Sequence, residues 1–428
     1  MAGFNTAITG LKAASTDLDV TGNNIANSST VGFKASRTEF ADIYASTVVG
    51  AGSSNIAGSG VTVSDIAQDF SAGTTEFTNN NLDLAINGAG FFQLNDGQGS
   101  VTYTRAGAFE LDRDGNIISK TGSYLQGYGL DEQGALLPIG NLAVTEKESP
   151  PKPTENMDLA FNIDTGAVAP TLAYDPDDPA TYSYSTTMRT FDSLGNEHTI
   201  KLNLVEQGEG TGLYDMYAYL NGTQLLDIGK LDTAGTGTEP GPIEVQFDTT
   251  NGLLSSINGN VLTVPGGDAP KITILGADLA NPATEIELDL TNTTQFASAS
   301  IVKSQDQDGY TKGDLIGVSF GNNGEMVASF SNGQNQSLGV VAISTFANES
   351  GLQPSGDTEW TATLDSGAAI TNPPGAGLNG TLRSAALEQS NVDLSAELVR
   401  LIEAQRNFQA NSKTLETLNT VTQTILQI

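Results

Sequence analysis

A chain of 428 residues has room for about three domains at roughly 150 residues each, and 38% hydrophobic content with 48 glycines excludes global disorder. Its 50 acidic against 18 basic residues give a formal charge of −32, which repels phosphate backbones and anionic lipid and makes nucleic acid and membranes poor partners. With no cysteine and one histidine, disulfides, thiolate ligands, a nucleophile–base pair and a transition-metal site are hard to build, so an enzyme is not expected, nor any cofactor or metal.

At the N-terminus, Phe4, Ile8, Leu11, Ser15 and Leu18 recur in steps of four and three, the spacing of a helix that keeps one seam against a partner. Residues 1–18 carry neither a basic region nor a continuous apolar one, so no secretory signal peptide is expected there. No stretch approaches the roughly 18 apolar residues of a membrane span. Residues 50–60 are rich in Gly, Ser and Ala and read as flexible or extended.

The centre reads as antiparallel β domains with hairpin connections. Short Val/Ile/Tyr/Phe/Thr runs are separated by Asn87-Gly88, Asp114-Gly115, Asn221-Gly222, Asn251-Gly252, Asn258-Gly259 and Asn332-Gly333. Such dipeptides accept the positive φ of tight hairpin turns. The clearest case joins the run 214–220 to the run 223–226. Ser149-Pro150-Pro151-Lys152-Pro153 reads as a linker, and Asn372-Pro373-Pro374-Gly375 as a second break. Asp112-Arg113-Asp114-Gly115-Asn116 and Asp175-Pro176-Asp177-Asp178-Pro179 faintly suggest calcium loops, but neither has EF-hand spacing. His198 sits in a strand-like run, where a surface histidine is the simpler account.

Beyond the second break, Leu387, Asn391, Leu394, Leu398, Leu401, Gln405, Phe408, Ser412 and Leu415 repeat the four–three spacing, with Ser390 and Asp393 fitting a capping box. Neither Gly nor Pro interrupts 390–428, so one helix could reach roughly 55 Å. An amphipathic helix on a globular core and a coiled coil both fit the heptads. Seam burial of roughly 1.5–3 kcal/mol per large side chain is opposed by roughly 1–2 kcal/mol of backbone entropy per ordered residue. The terminal segments are therefore expected to gain stable order only when copies of the chain pack together.

Three stretches carry a resemblance to a family. Residues 18–27 (LDVTGNNIAN) with Thr30-Val31-Gly32-Phe33-Lys34 closely resemble the N-terminal motif of the bacterial flagellar axial proteins, the rod, hook and hook-associated proteins. Residues 82–92 (LDLAINGAGFF) with Thr104-Arg105-Ala106-Gly107-Ala108-Phe109 are similar to the inner β domain shared by distal rod and hook proteins. Ser390-Asn391-Val392-Asp393-Leu394 through the run 403–411 (EAQRNFQAN) resembles the C-terminal helix. The extra length from about 146 to 293 resembles the outer domain that distinguishes a hook subunit from a shorter distal rod protein.

The resemblance implies a multidomain, mainly β chain whose N- and C-terminal α-helices pair as a coiled coil, with discontinuous nested domains: ends together, β domains inserted. The expected division is 1–30 with 386–428 for the helices, 31–71 with 371–385 for connecting segments, 72–146 with 293–370 for an inner β domain and 147–292 for an outer one. It implies a structural subunit of the flagellar hook, a curved tube that bends while transmitting torque as a universal joint. A distal rod or other hook-associated protein, or an acidic β-rich surface binding module, are the alternatives. The expected seam residues are Phe4, Ile8, Leu11, Leu18, Ile25, Leu387, Leu394, Leu398, Leu401, Phe408 and Leu415. The family-motif residues are Asn23, Asn24, Ala26, Asn27, Gly32, Phe33, Gly88, Gly90, Phe91, Gln405 and Asn411. The implied partners are further copies of the chain, the distal rod, hook cap and hook–filament junction proteins, and the type III export apparatus. The implied location is the extracellular hook, reached without a cleaved signal peptide.

Overall fold

In the computed structural model, residues 2–43, 58, 60–131, 133–145, 147–166, 169–231, 238–262 and 269–426 are described. The chain divides into two compact units. Unit 1 comprises Met1–Glu146, Ile316–Ser329 and Asn335–Ile428; unit 2 comprises Lys147–Leu315 and Phe330–Gln334.

Unit 2 is a β sandwich. One sheet runs in the order Ile272–Leu275, Glu285–Asp289, Asn156–Asp164, Thr294–Phe296, with Ile301–Gln307 also on the 156–164 strand. The other runs Tyr184–Phe191, Glu197–Glu206, Leu213–Leu220, Ile243–Phe247, Leu254–Ile257, Asn260–Val261. Alternate residues face inward with the two-residue period of a strand: Met157, Leu159, Phe161 and Ile163 from the first sheet meet Leu202, Leu204, Tyr214, Met216 and Val245 from the second. The Tyr214 hydroxyl inside this core accepts from Gln295 Nε2 at 2.8 Å, which satisfies it.

The expected hairpins form where Asn-Gly supplies positive φ. Asn221 (φ 50°) and Gly222 (φ 76°) join Leu213–Leu220 to Gln224–Leu225, and Asn258 (φ 48°) and Gly259 (φ 78°) join Leu254–Ile257 to Asn260–Val261. Asn87-Gly88 differs. Strand Leu84–Asn87 pairs with Thr381–Ser384, more than 290 residues away, so this dipeptide turns the chain between two strands that do not pair with each other. The antiparallel expectation also needs correction at strand Asn156–Asp164, which pairs in parallel with 287–289 and with 294–296. Parallel partners need long crossover connections, and no turn dipeptide announces those.

In unit 1, helix α1 spans Ala2–Ala26 and helix α2 spans Leu394–Leu426, and the two pack along each other. Asp393 caps α2: its Oδ1 accepts from the Ser395 and Ala396 amides at 2.9 and 3.2 Å. Ser390 therefore lies before the helix, which at 33 residues is about 50 Å long. The hairpin of Ser36–Asp42 with Val61–Gln68 packs against α1. A sheet in the order Asn335–Val341, Tyr124–Leu130, Phe91–Asn95, Val101–Thr104, Glu359–Thr361, Gln353–Gly356 carries an aromatic core of Phe91, Tyr103, Phe346 and Trp360. Two short pairings stitch chain ends together: Leu84–Asn87 with Thr381–Ser384, and Thr75–Phe77 with Ala386–Glu388. Among the described residues no helix is long and apolar enough to cross a membrane.

Candidate functional site

The contact between α1 and α2 sets small side chains of α1 against a column of mixed size on α2. Ala7, Ala14, Thr21 and Asn24 are buried on α1, spaced by seven, seven and three. On α2 the buried and half-buried positions are Glu397, Leu401, Ala404, Phe408, Asn411, Leu415 and Leu418, in alternating steps of four and three. The helices approach closely: a Cβ on Gly10 would lie 2.7 Å from Asn411 Oδ1. Small residues permit that approach, and the heptad step keeps the seam on one face.

Leu401, Phe408 and Leu415 lie on this seam, half-buried. Leu394 and Leu398 do not: they are 46% and 45% exposed and, with Val399 at 57% and Ile402 at 50%, form an apolar stripe one position round the helix. Gln405 is exposed on that same side. On α1, Ile8 is 36% exposed while Phe4, Leu11, Leu18 and Ile25 are half-buried beside the small-residue seam. Leu387 lies in strand Ala386–Glu388, before the helix begins, and Asn391 in the loop that follows. The sequence periodicity therefore finds one row of the seam, Leu401, Phe408 and Leu415, but by following the largest apolar side chains it takes Leu398 in place of the neighbouring row of Glu397, Ala404 and Asn411.

At the base of the helix pair a buried polar clamp joins four distant segments. Glu388 Oε1 accepts from Lys34 Nζ at 2.7 Å and from the Gly73 amide at 3.0 Å, and its Oε2 accepts from Arg105 Nη1 at 3.1 Å. All three charged side chains are buried, with 3% exposure or less. Lys34 Nζ also donates to the Ser71 carbonyl at 2.7 Å, and the Arg105 guanidinium lies 5.2 Å over the Phe91 ring. Beside it, Asn24 grips Ser36 from both sides, donating to its carbonyl at 2.7 Å and accepting from its amide at 3.0 Å, and reaches Glu397 of α2 at 3.4 Å. Asn391 accepts from the Ala35 amide at 2.8 Å and donates to the Asp69 carbonyl at 2.8 Å.

This geometry explains the motif residues. Gly32 adopts φ +70°, its amide donates to the Glu388 carbonyl at 2.8 Å, and a Cβ there would overlap the Ala106 nitrogen. Gly90 (φ +118°) has Ile343 where a Cβ would stand, Gly88 (φ +119°) abuts Gly380, and Phe91 is fully buried. Asn27 closes the end of α1, its side chain donating to the Asn23 carbonyl and to Asn23 Oδ1, both at 3.0 Å, with Ala26 exposed and Phe33 half-buried. Glu388 was missed in sequence. The available signal was the lone cation in each of two apolar motifs, Lys34 and Arg105, which calls for a buried acid somewhere.

Burial opposes ionisation of Glu388, but the Arg105 and Lys34 charges outweigh it and hold the carboxyl below its ordinary range. Burial pulls Lys34 down as well, since one carboxylate serves two cations. A carboxyl held lower in the folded than in the unfolded chain binds fewer protons when folded. Its stabilisation is thus present above the ordinary carboxylate range and lost as pH falls through the folded value. Glu388→Gln is expected to destabilise unit 1 by about 3–5 kcal/mol at neutral pH. Calorimetry from pH 7 downward should show that gap between the variant and the parent narrowing below about pH 4. A gap independent of pH would remove the carboxylate from the account.

The other chemical candidates are accounted for locally. Asp112 accepts from the Asp114 and Asn116 amides at 2.8 Å each, so its carboxylate closes a hairpin turn. Asp178 caps a short 3₁₀ turn by accepting from the Ala180 amide. His198 Nε2 lies 3.2 Å from Asp192 and its Nδ1 3.2 Å from Asn221 Nδ2. Among the described residues no group of three or more His, Asp or Glu is placed to hold a metal ion.

Four families match successive parts of the chain. Residues 4–34 match "Flagella basal body rod protein", 85–169 "Flagellar hook protein FlgE/F/G D1 domain", 162–310 "Flagellar basal body protein FlaE D2 domain" and 383–428 "Flagellar basal body rod FlgEFG protein C-terminal". Among curated relatives, the flagellar hook protein FlgE of Escherichia coli K12 is 35% identical over 430 residues, covering 99% of each chain. That of Salmonella typhimurium is 36% identical over 434 residues, again 99% of each. That of Borreliella burgdorferi is 31% identical over 466 residues, covering 100% of this chain and 99% of the relative.

Proposed function

The chain belongs to the flagellar hook protein family, and from that membership we infer that the clamped helix pair is the element through which its copies build a tube. The protein is a structural subunit of the bacterial flagellar hook. Its place is the flagellum, and its family is one of structural proteins rather than enzymes. Relatives named as hook proteins match nearly end to end, which leaves the distal rod and surface-module readings without support.

One observation carries the assembly reading. The helix pair closes along Ala7, Ala14 and the column from Glu397 to Leu418 and leaves Leu394, Leu398, Val399 and Ile402 outward on α2. A contiguous apolar stripe on a helix is an interaction surface. A partner is always at hand in a polymer, because a heterologous contact that does not close repeats without limit. The seam residues on the flanks of the pair, Phe4, Ile8, Leu11, Leu18 and Ile25, would share that contact. Stable order along the outer turns of both helices would then come from neighbouring copies, while the clamp secures their base.

The finer parts of the reading rest on family membership alone: the torque-bearing universal joint, export through the type III apparatus without a cleaved signal, and contact with distal rod, cap and junction proteins. The division into terminal helices, connecting segments, inner and outer β domains, with the boundaries given above, belongs to the same proposal. Electron microscopy of the purified chain, concentrated in stages, tests the central claim. Tubes of uniform diameter are expected above a critical concentration, and single particles at every concentration would refute it.

A further inference from the structure

The clamp draws its charges from opposite ends of the chain. Lys34 and Arg105 precede Glu388 by 354 and 283 residues. Remove the carboxylate and two buried cations face each other with no counter-charge; Asp69, the other acid near Lys34, is exposed. A lone buried charge is far more costly than a pair. The C-terminal stretch also supplies three acceptors for 24–36: the Glu388 carbonyl for the Gly32 amide, Asn391 for the Ala35 amide, and Glu397 for the Asn24 side chain. Every hydrogen bond of this set disappears together if residues 388–397 are absent or displaced.

We propose that Glu388 is a closure switch: residues 24–36 lie down on unit 1 only once the C-terminal stretch has placed its carboxylate between Lys34 and Arg105, and a chain in which it has not cannot present the helix pair for addition to the tube. The closure stands on the geometry alone; its consequence for assembly rests on the hook reading. The switch acts as a test of completeness. The core strands Phe91–Asn95 and Val101–Thr104 pair without help from the C-terminal stretch, whereas the N-terminal segment waits for it.

Amide hydrogen exchange on the full-length chain tests this, with Glu388→Gln set against the triple variant Lys34→Met, Arg105→Met, Glu388→Leu. In Glu388→Gln, amides in 24–36 and at Gly73 should exchange about 100-fold faster, and those in strands 91–95 and 101–104 should be accelerated at least about tenfold less. The triple variant removes the charges together, so its 24–36 amides should return to within about tenfold of the parent and its chains should form tubes. Parental protection in Glu388→Gln, or uniform loss across unit 1, would overturn the proposal. If Glu388→Gln does not fold, the triple variant still must, with 24–36 protected; an unfolded or equally open triple variant overturns the switch. Failure of the parent chain itself to form tubes would instead count against the hook reading and leave the closure intact.

Discussion

Replacing Gly32 with alanine should abolish tube formation and lower the melting temperature of unit 1 by roughly 10 °C, at about 2–4 °C per kcal/mol for a unit of this size. Two costs combine. The backbone at Gly32 is left-handed (φ +70°), which costs an L-residue about 1–2 kcal/mol. The added Cβ would overlap the Ala106 nitrogen and lie 2.8 Å from Ala106 Cα and from the Arg105 carbonyl carbon. These are main-chain atoms of the strand end that carries Arg105, so relief means moving either the clamp or the sheet, at about 1–3 kcal/mol more. Either movement breaks the 2.8 Å bond from the Gly32 amide to the Glu388 carbonyl. Gly222→Ala separates strain from collision, because Gly222 has φ +76° but open space around its Cβ position. That variant should lose only the conformational cost, in unit 2, and still form tubes. Differential scanning calorimetry with microscopy of both variants decides the matter, and a Gly32→Ala chain that melts and polymerises like the parent would show that the clamp tolerates displacement.

How far the fold is legible in the sequence depends on the range of the interaction. Local chemistry reads well. Asn221-Gly222 and Asn258-Gly259 specify their turns because few other residues accept positive φ. The uninterrupted stretch after Asn391 specifies a helix, since nothing in it breaks one. The seam reads less well for a physical reason. Large apolar residues attract attention in a heptad count, yet two helices that approach closely also need Ala7, Ala14 and Ala404 between them, and Leu394 and Leu398 go where other partners can reach them. Hence Leu398 looks like a seam residue and is 45% exposed, whereas Ala404 looks unremarkable and is 1% exposed. Non-local pairing reads least. Nothing near Asn156–Asp164 says that two of its three neighbours are parallel strands from more than 120 residues downstream, and nothing near Glu388 names Lys34. Composition limits the search even there, because 18 basic residues among 428 are few enough that a cation inside an apolar motif stands out.

Aspartate at both Leu398 and Ile402 should leave the isolated subunit almost unchanged and raise the critical concentration for tubes by at least about 100-fold. In the free chain these side chains are 45% and 50% exposed on the outer side of α2, away from its buried column. Substitutions at such positions usually change stability by about 0.5 kcal/mol or less, plus a few tenths for the helix propensity of aspartate. Unit 1 should therefore melt within about 6 °C of the parent. In the tube the same positions meet another subunit. Burying the remaining half of each apolar side chain is worth about 1 kcal/mol, so losing two costs about 2 kcal/mol per added subunit. A carboxylate driven into that contact without a partner adds several more. At 1.4 kcal/mol per decade, the first contribution alone accounts for more than tenfold and the two together for the stated 100-fold or beyond. Leu398→Met keeps volume and polarity and should polymerise normally. Sedimentation across a concentration series, read beside the melting curve, distinguishes a lost contact from a lost fold. If the doubly charged variant assembles at the parental concentration, the stripe faces solvent in the tube and the copies must join through some other surface. If it assembles poorly and also melts early, α2 uses this face within its own subunit.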